Sequence, residues 1–347
     1  MWVDLTVAVL VLGLVMYSVL GGADFGAGFW DLTAGGAERG ARVRGMLKRS
    51  MSIVWEANHV WLIFVLVIFW TGFPHAFGPT METLYVPLFL AAVGIIFRGS
   101  AFALRGEAAT IGEARALGAT FALSSVLVPF FLGATIGAIA SGQVEVPADP
   151  NDPFSSWTNA TSLYIGALAV ATSAYMAAVF LAADSVRAEL PDMVEAFRKR
   201  ALGAAVVTGV MAIVGIFVIK SDAPDLYDGL TSGFGLVVVI ISALAGGATA
   251  VLLWTRRFTW ARVSSAGAVA AIIVGLAVAI RPDFLPGQMT LDAAAAGDST
   301  LIPLLGAVVI AVAVLIPSLG YLYKLVLSGR LDQEFHPIGA PETEAKS

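Results

Sequence analysis

Long apolar runs separated by short polar connectors occupy most of the 347 residues. Runs of about 20 apolar residues recur along the whole length, and each is long enough to cross a bilayer as a helix. The pattern predicts nine spans, at 5–31, 52–73, 82–104, 117–141, 158–183, 201–219, 230–254, 261–280 and 301–327. The runs are continuous rather than alternating, which points to helices and not to a β-barrel. The first run is too long for a cleaved signal peptide and no basic residue precedes it, so it reads as a retained span. The tail after Ser328 is short and polar, and no soluble domain is expected.

Composition agrees with this pattern. Hydrophobic residues make up 58% of the chain and charged residues 13%, with a mean hydropathy of +0.86. A soluble domain carries about twice that charge. The expected fold class is therefore an all-α polytopic membrane protein. Lysine and arginine orient it, because basic residues stay on the cytoplasmic side. Arg39, Arg42, Arg44, Lys48 and Arg49 follow span 1. Further clusters are Arg98/Arg105/Arg115, Arg187/Arg198/Lys199/Arg200, Arg256/Arg257/Arg262 and Lys324/Arg330/Lys346. All of these fall on one side of the nine-span arrangement, and only Lys220 and Arg281 fall on the other. The N-terminus is expected outside and the C-terminus in the cytoplasm.

The connectors on the outer side are acidic and rich in proline, as in VEVPADPNDPF and SDAPDLYDG. The net charge of −5 thus arises outside. The basic connectors orient the membrane spans and do not indicate a nucleic-acid partner. The chain has no cysteine, which excludes disulfides, thiolate metal sites, iron–sulfur clusters and a covalent c-type haem.

Three charges stand out against the apolar background. Asp24 lies in GGADFGAGFWDL, seven residues before Asp31 at the inner end of span 1. Glu56 lies seven residues after Arg49, and Arg98 seven residues before Arg105. Seven residues of helix rise about 10 Å. Three consecutive helices therefore place one charge each at a similar depth. Such groups are costly in a membrane and face the bundle interior, where they mark a pathway or a counter-ion. One reading is a structural ion cluster in which Arg98 neutralises a carboxylate. The other is a proton route, with Asp31 as a further step toward the cytoplasm on the same helix face as Asp24. Gly21 and Gly28 flank Asp24 at i−3 and i+4 and would leave room there for water. Gly22 and Gly26 form a small-xxx-small pair, the usual mark of close helix packing.

Span 2 opens with WEANHVWL. Glu56 and His59 are i,i+3 neighbours, while Asn58 points about half a turn away from Glu56. His59 is open to three roles: a hydrogen-bonded core histidine, a proton relay or a metal ligand. Trp55, Trp61 and Trp70 read as packing or interface anchors. His75 and Glu82 fall in or beside an outer connector, and His336 lies in the tail. Two facing histidines within the chain are not available to hold a six-coordinate haem, which leaves His/Met ligation open.

The motifs GGADFGAGFWDL, WEANHVWL and IIFRGSAFALR, in this order and spacing, resemble subunit II of cytochrome bd-type quinol oxidases. The resemblance carries several implications. The fold would be two four-helix bundles, at 1–141 and 158–281, plus a ninth helix at 301–327. Outer loops would occupy 142–157 and 282–300, and a cytoplasmic tail 328–347. A haem-bearing subunit I would pair with this chain in the prokaryotic cytoplasmic membrane. That partner would hold the b-type and d-type haems and the quinol site, and the complex would reduce O2 to water with cytoplasmic protons. This chain would carry no obligatory cofactor, with room for a structural quinone or lipid and for small accessory subunits. Asp24 and Glu56 fall on the family's acidic positions. Family members often have Asp at the position of Glu56, Gln at that of His59 and an acid near Gly21, so the detailed proton path here would differ. Under this reading Asp31, Asp24, Glu56 and His59 carry protons and Arg98 is their charge partner. The competing reading is a proton-coupled secondary transporter of a small anion, which would show broken helices in both repeats.

Overall fold

The structure, a computed structural model, describes residues 1–51, 54–148 and 152–327, with the side chains of 37–39, 54–57, 323, 326 and 327 outside the description. The first span is α1 (Trp2–Met16), a π-helical stretch (Tyr17–Gly21) and α2 (Gly22–Leu32). The basic segment after it is helical as well: α3 (Ala37–Met51) replaces the connector expected there. Next come α4 (Val54–Gly72), α5 (Pro74–Thr83), α6 (Tyr85–Leu104) and α7 (Ile111–Ala140). The second half contains α8 (Ser155–Thr158), α9 (Ala160–Arg187), α10 (Pro191–Asp222) and α11 (Pro224–Thr231). It continues with α12 (Gly233–Trp254) and α13 (Phe258–Ala279). A small antiparallel hairpin, β1 (Asp283–Leu285) and β2 (Met289–Thr290), leads to α14 (Leu291–Ala294) and α15 (Asp298–Leu327).

Among the described residues, eight helical segments are long and apolar enough to cross a membrane. A ninth is formed by Asn58–Gly72 and Pro74–Thr83 if this pair, bent by 119°, counts as one span. His75 therefore belongs to a helix, with Pro74 at the helix start where its missing N–H costs nothing. Several helices outrun their apolar runs. α7 begins at Ile111, six residues before the predicted span, because Thr110 and Glu113 form a capping box. Thr110 Oγ1 accepts from Glu113 N at 3.2 Å, and Glu113 Oε2 accepts from Thr110 N at 3.3 Å. The helix ends where Gly142 takes φ +74° and the Gln143 N–H bonds back to the Ala138 carbonyl. α10 begins at Pro191, ten residues before its predicted span, in a charged first segment.

The chain divides into a unit of residues 1–306 and a second that begins at Ala307 with the remaining turns of α15. Within the first unit α9 is the hub, packed against α2, α7, α10 and α13. Its Met176, Ala177, Ala178 and Val179 are fully buried. Small side chains let neighbouring backbones approach, which drives helix association where solvent supplies no hydrophobic force. α10 and α12 lie at the other extreme and expose Val207, Ile213, Phe217, Ile240 and Leu244.

The basic segments gather at one end of the unit. Arg42 of α3 pairs with Asp192 of α10 at 2.7 Å, and Arg256 with Glu195 at 3.3 Å. Arg262 of α13 pairs with Asp184 of α9 at 2.9 Å, and Ser50 of α3 donates to the same carboxylate. At the opposite end Arg281 pairs with Asp4 at 2.5 Å, and Phe284 of the hairpin packs on Phe69 and Phe73. Helices of one span length carry their polar ends to two separate layers, and these contacts place the basic segments in one of them.

Candidate functional site

The π-helical stretch ends three residues before Asp24. A π segment inserts an extra residue per turn and re-aims the side chains after it. Here it ends at Gly21–Gly22, where α2 begins. Asp24, Asp31 and Arg98 are all buried.

Asn58 is the direct partner of the Asp24 carboxylate: its Nδ2 donates to Oδ2 at 2.7 Å. The sequence reading kept Asn58 as a motif residue that diverges from Glu56 and gave it no partner. The helix angle that turns it from Glu56 turns it toward α2. Arg98 reaches the same residue at another atom. Its Nη2 donates to the Asp24 main-chain carbonyl at 3.0 Å, and its Nε donates to Ser125 Oγ at 3.0 Å. Ser125 in turn donates to the Phe121 carbonyl at 2.6 Å. The guanidinium carbon lies 5.0 Å from the Phe25 ring and 5.1 Å from the Phe121 ring. Among the described residues two oxygens and two aromatic faces meet this buried cation, an arrangement that offsets part of its desolvation. Arg98 thus binds the α2 main chain at Asp24.

His59 packs beside this cluster, 5.9 Å from Phe25 and 6.2 Å from Tyr17 between ring centres. Both its ring nitrogens are buried in protein. Among the described residues no group of three or more His, Cys, Asp or Glu is arranged to hold a metal ion. The Tyr17 hydroxyl is also buried, with no hydrogen-bond partner among the described residues. The side chains of Trp55 and Glu56 lie outside the described residues, so the structure brings together two of the three charges read at one depth. Trp61 is buried edge-on against Phe64, and exposed Trp70 stacks on Phe77.

The glycines divide into two kinds. A Cβ on Gly26 would overlap the Ser173 carbonyl of α9 and lie 2.7 Å from Ala177 Cβ, so α2 and α9 touch there through backbone. Gly22 meets only Ser173 Oγ, at 3.7 Å. Gly21 and Gly28 do not leave the water space expected of them. The Tyr17 ring stands 3.0 Å from a Cβ at Gly21, and the Ser125 side chain occupies the position a Cβ at Gly28 would take. At Gly21 the reason is local, since Tyr17 lies one turn earlier in the same span; at Gly28 it is tertiary, because α7 brings Ser125 in from a distant part of the chain.

Asp31 does not stand open to the basic end. Arg44 Nε holds one carboxylate oxygen at 2.7 Å and Arg105 Nη1 the other at 2.6 Å. The clamp joins α2, α3 and the end of α6. The sequence reading missed Ser125, Tyr17, Phe25 and the Arg44 contact. The adjacent polar pair Ser124–Ser125 within an apolar span was the available signal for the first. The contact between Arg44 and Asp31 depends on α3 being helical, which the charge pattern did not suggest. The break near Asp24 has no counterpart in α9, which is helical without interruption from Ala160 to Arg187. A transporter with matched broken helices would differ here.

Comparison with known proteins points one way. The family model described as cytochrome bd terminal oxidase subunit II matches residues 3–326. A Bacillus subtilis (strain 168) protein named cytochrome bd ubiquinol oxidase subunit 2 is 24% identical over 272 residues, covering 78% of this chain and 76% of that protein. A second protein of the same organism, described as a candidate cytochrome bd menaquinol oxidase subunit II, is 25% identical over 248 residues, 70% of each chain. The solved structure of bd oxidase from Geobacillus thermodenitrificans contains a similar chain. It has a TM-score of 0.72 at 25% identity and covers 94% of this chain and 99% of that one.

Proposed function

The chain belongs to the cytochrome bd terminal oxidase subunit II family, a membrane subunit of a quinol oxidase, and from that premise we propose that it delivers protons to its partner. In this reading subunit I supplies the b-type and d-type haems, where electrons from quinol reduce O2 to water. This chain stabilises that partner and passes protons from the basic, cytoplasmic end to it. The fold is read as two four-helix bundles and a ninth helix, with the N-terminus outside.

The observation that carries the proposal is Asp24: a buried carboxylate on the family's acidic position, hydrogen-bonded to one neutral amide. Asn58 can donate to Asp24 in either protonation state. Arg98 holds the helix turn on which Asp24 sits, through the carbonyl, so the carboxylate is not locked into a bidentate ion pair. Glu56 and His59 extend the route on α4. Asp31, held by two arginines, serves as an anchor of the basic end in preference to a proton step. The unbroken α9 gives the transporter reading no support.

The test is Asp24→Asn in the assembled complex. Asparagine keeps an acceptor for Asn58 and removes the exchangeable proton. Quinol-driven oxygen consumption is expected to fall at least tenfold, with the reduced-minus-oxidised haem spectrum unchanged. Glu56→Gln should behave likewise. If the haem bands disappear together with activity, both carboxylates are structural and the proton assignment fails.

A further inference from the structure

Several arginines at the basic end are answered by carboxylates. Arg44 and Arg105 share Asp31, Arg198 and Arg256 share Glu195, and Arg262 takes Asp184. Arg200 is different. It sits on α10 where the charged first segment meets the apolar stretch 201–219. Its guanidinium carbon lies 5.7 Å from the Trp30 ring and 5.2 Å from the Phe197 ring. Among the described residues none accepts a hydrogen bond from it, and its Nη1 is buried without an acceptor. Trp30 cannot help through its indole nitrogen, which donates to the Ala174 carbonyl at 2.8 Å. It offers Arg200 only its face.

A charged donor without an acceptor is costly and calls for a partner, and Arg200 as a whole is only partly buried, so its side chain stays open to one outside the chain. A guanidinium stacked on aromatic faces keeps its edge for a planar or tetrahedral oxyanion, and phosphate suits that fork. The surroundings indicate what bears the phosphate. Val207 and Val214 follow Arg200 at i+7 and i+14, on the same helix face. They are 55% and 44% exposed, on a helix that spans the membrane. A basic residue at the membrane boundary above an exposed aliphatic stripe matches a headgroup with its acyl chain. We propose that Arg200 binds a phosphate oxyanion, held in the membrane by an anionic phospholipid whose chain lies along Val207 and Val214. The site stands apart from Asp24 and does not depend on the proton assignment.

The test uses the complete oxidase complex in nanodiscs of phosphatidylcholine with or without phosphatidylglycerol. Native mass spectrometry of the released complex should show one retained phosphatidylglycerol for the wild type. Arg200→Gln should cut the retained fraction about tenfold. Arg200→Lys keeps the charge and loses the fork, so it should cut it less. If Arg200→Gln fails to assemble, as judged by the haem spectrum, Arg200→Lys decides. A second arm adds inorganic phosphate to complexes in phosphatidylcholine alone. Phosphate-dependent thermal stabilisation that Arg200→Lys abolishes would identify free phosphate as the source of the oxyanion. Equal phosphatidylglycerol retention in wild type and variants, with no response to inorganic phosphate, overturns the site.

Discussion

Asp31 offers the sharpest separation between anchoring and proton transfer. Asp31→Asn removes the charge that faces Arg44 and Arg105 and leaves one oxygen for two cations. Asp31 is 5% exposed, whereas the two arginines are 26% and 32% exposed. Breaking a fully buried pair costs about 3–5 kcal/mol. Water reaches both arginines here, so about 2 kcal/mol is the better figure. That amount is a factor of about 30 in the folded-to-unfolded ratio. The assay is the half-life of the purified complex at elevated temperature, followed by loss of native haem absorbance and run beside initial oxygen consumption at low temperature. An anchor predicts a half-life shortened at least several-fold with initial turnover near that of the wild type. Arg44→Gln and Arg105→Gln should each reproduce part of the loss, and a double-mutant cycle should give non-additive energies. A wild-type half-life together with collapsed turnover would refute the anchor and return Asp31 to the proton route.

Other substitutions probe the packing around Asp24. Gly26→Ala places a methyl against the Ser173 carbonyl, where backbone must move, so the yield of assembled complex should fall several-fold in membrane preparations. Gly22→Ala makes an ordinary contact at 3.7 Å and should assemble normally. Ser125→Ala takes the Nε acceptor from Arg98, a loss of about 1–3 kcal/mol that chemical denaturation of the complex would read. In the connector before α8, the Asp152 carboxyl is held below the usual carboxylate range because the Ser155 side chain and the backbone N–H groups of Ser155 and Phe154 hydrogen-bond to it. A depressed carboxylate stabilises its turn above the ordinary carboxylate value. That stabilisation is lost as pH falls through the lowered one. Lower protection factors at Phe154 and Ser155 in acid than at neutral pH, after correction for the slower intrinsic exchange of amides in acid, would check this.

Much of the fold was legible because a membrane imposes a one-dimensional rule. Every span must satisfy its backbone internally and present apolar side chains, so hydropathy alone locates the helices. Nine runs were read, and the eight long helices plus the bent pair occupy the same positions. The ends were less legible. Helix α7 starts early because of a capping box, and α3 exists although its composition is that of a charged connector. Hydropathy carries no information about either, since neither depends on the bilayer.

At the candidate site the same division holds. Sequence alone set Asp24 and Arg98 about two helical turns in from the polar ends of their apolar runs, because that distance follows from helix rise, and both are buried. It also determined that Gly26 packs closely, since small residues at i,i+4 form a flat helix face. Only tertiary structure decided which groups meet. It brought Asn58 to the carboxylate and Arg98 to the main-chain carbonyl, set Ser125 against Gly28, and fixed Asp31 between two arginines. Depth is a property of one helix and can be counted along it. Azimuth and partner depend on how several helices rotate against one another, and small residues from distant spans set that rotation where they touch.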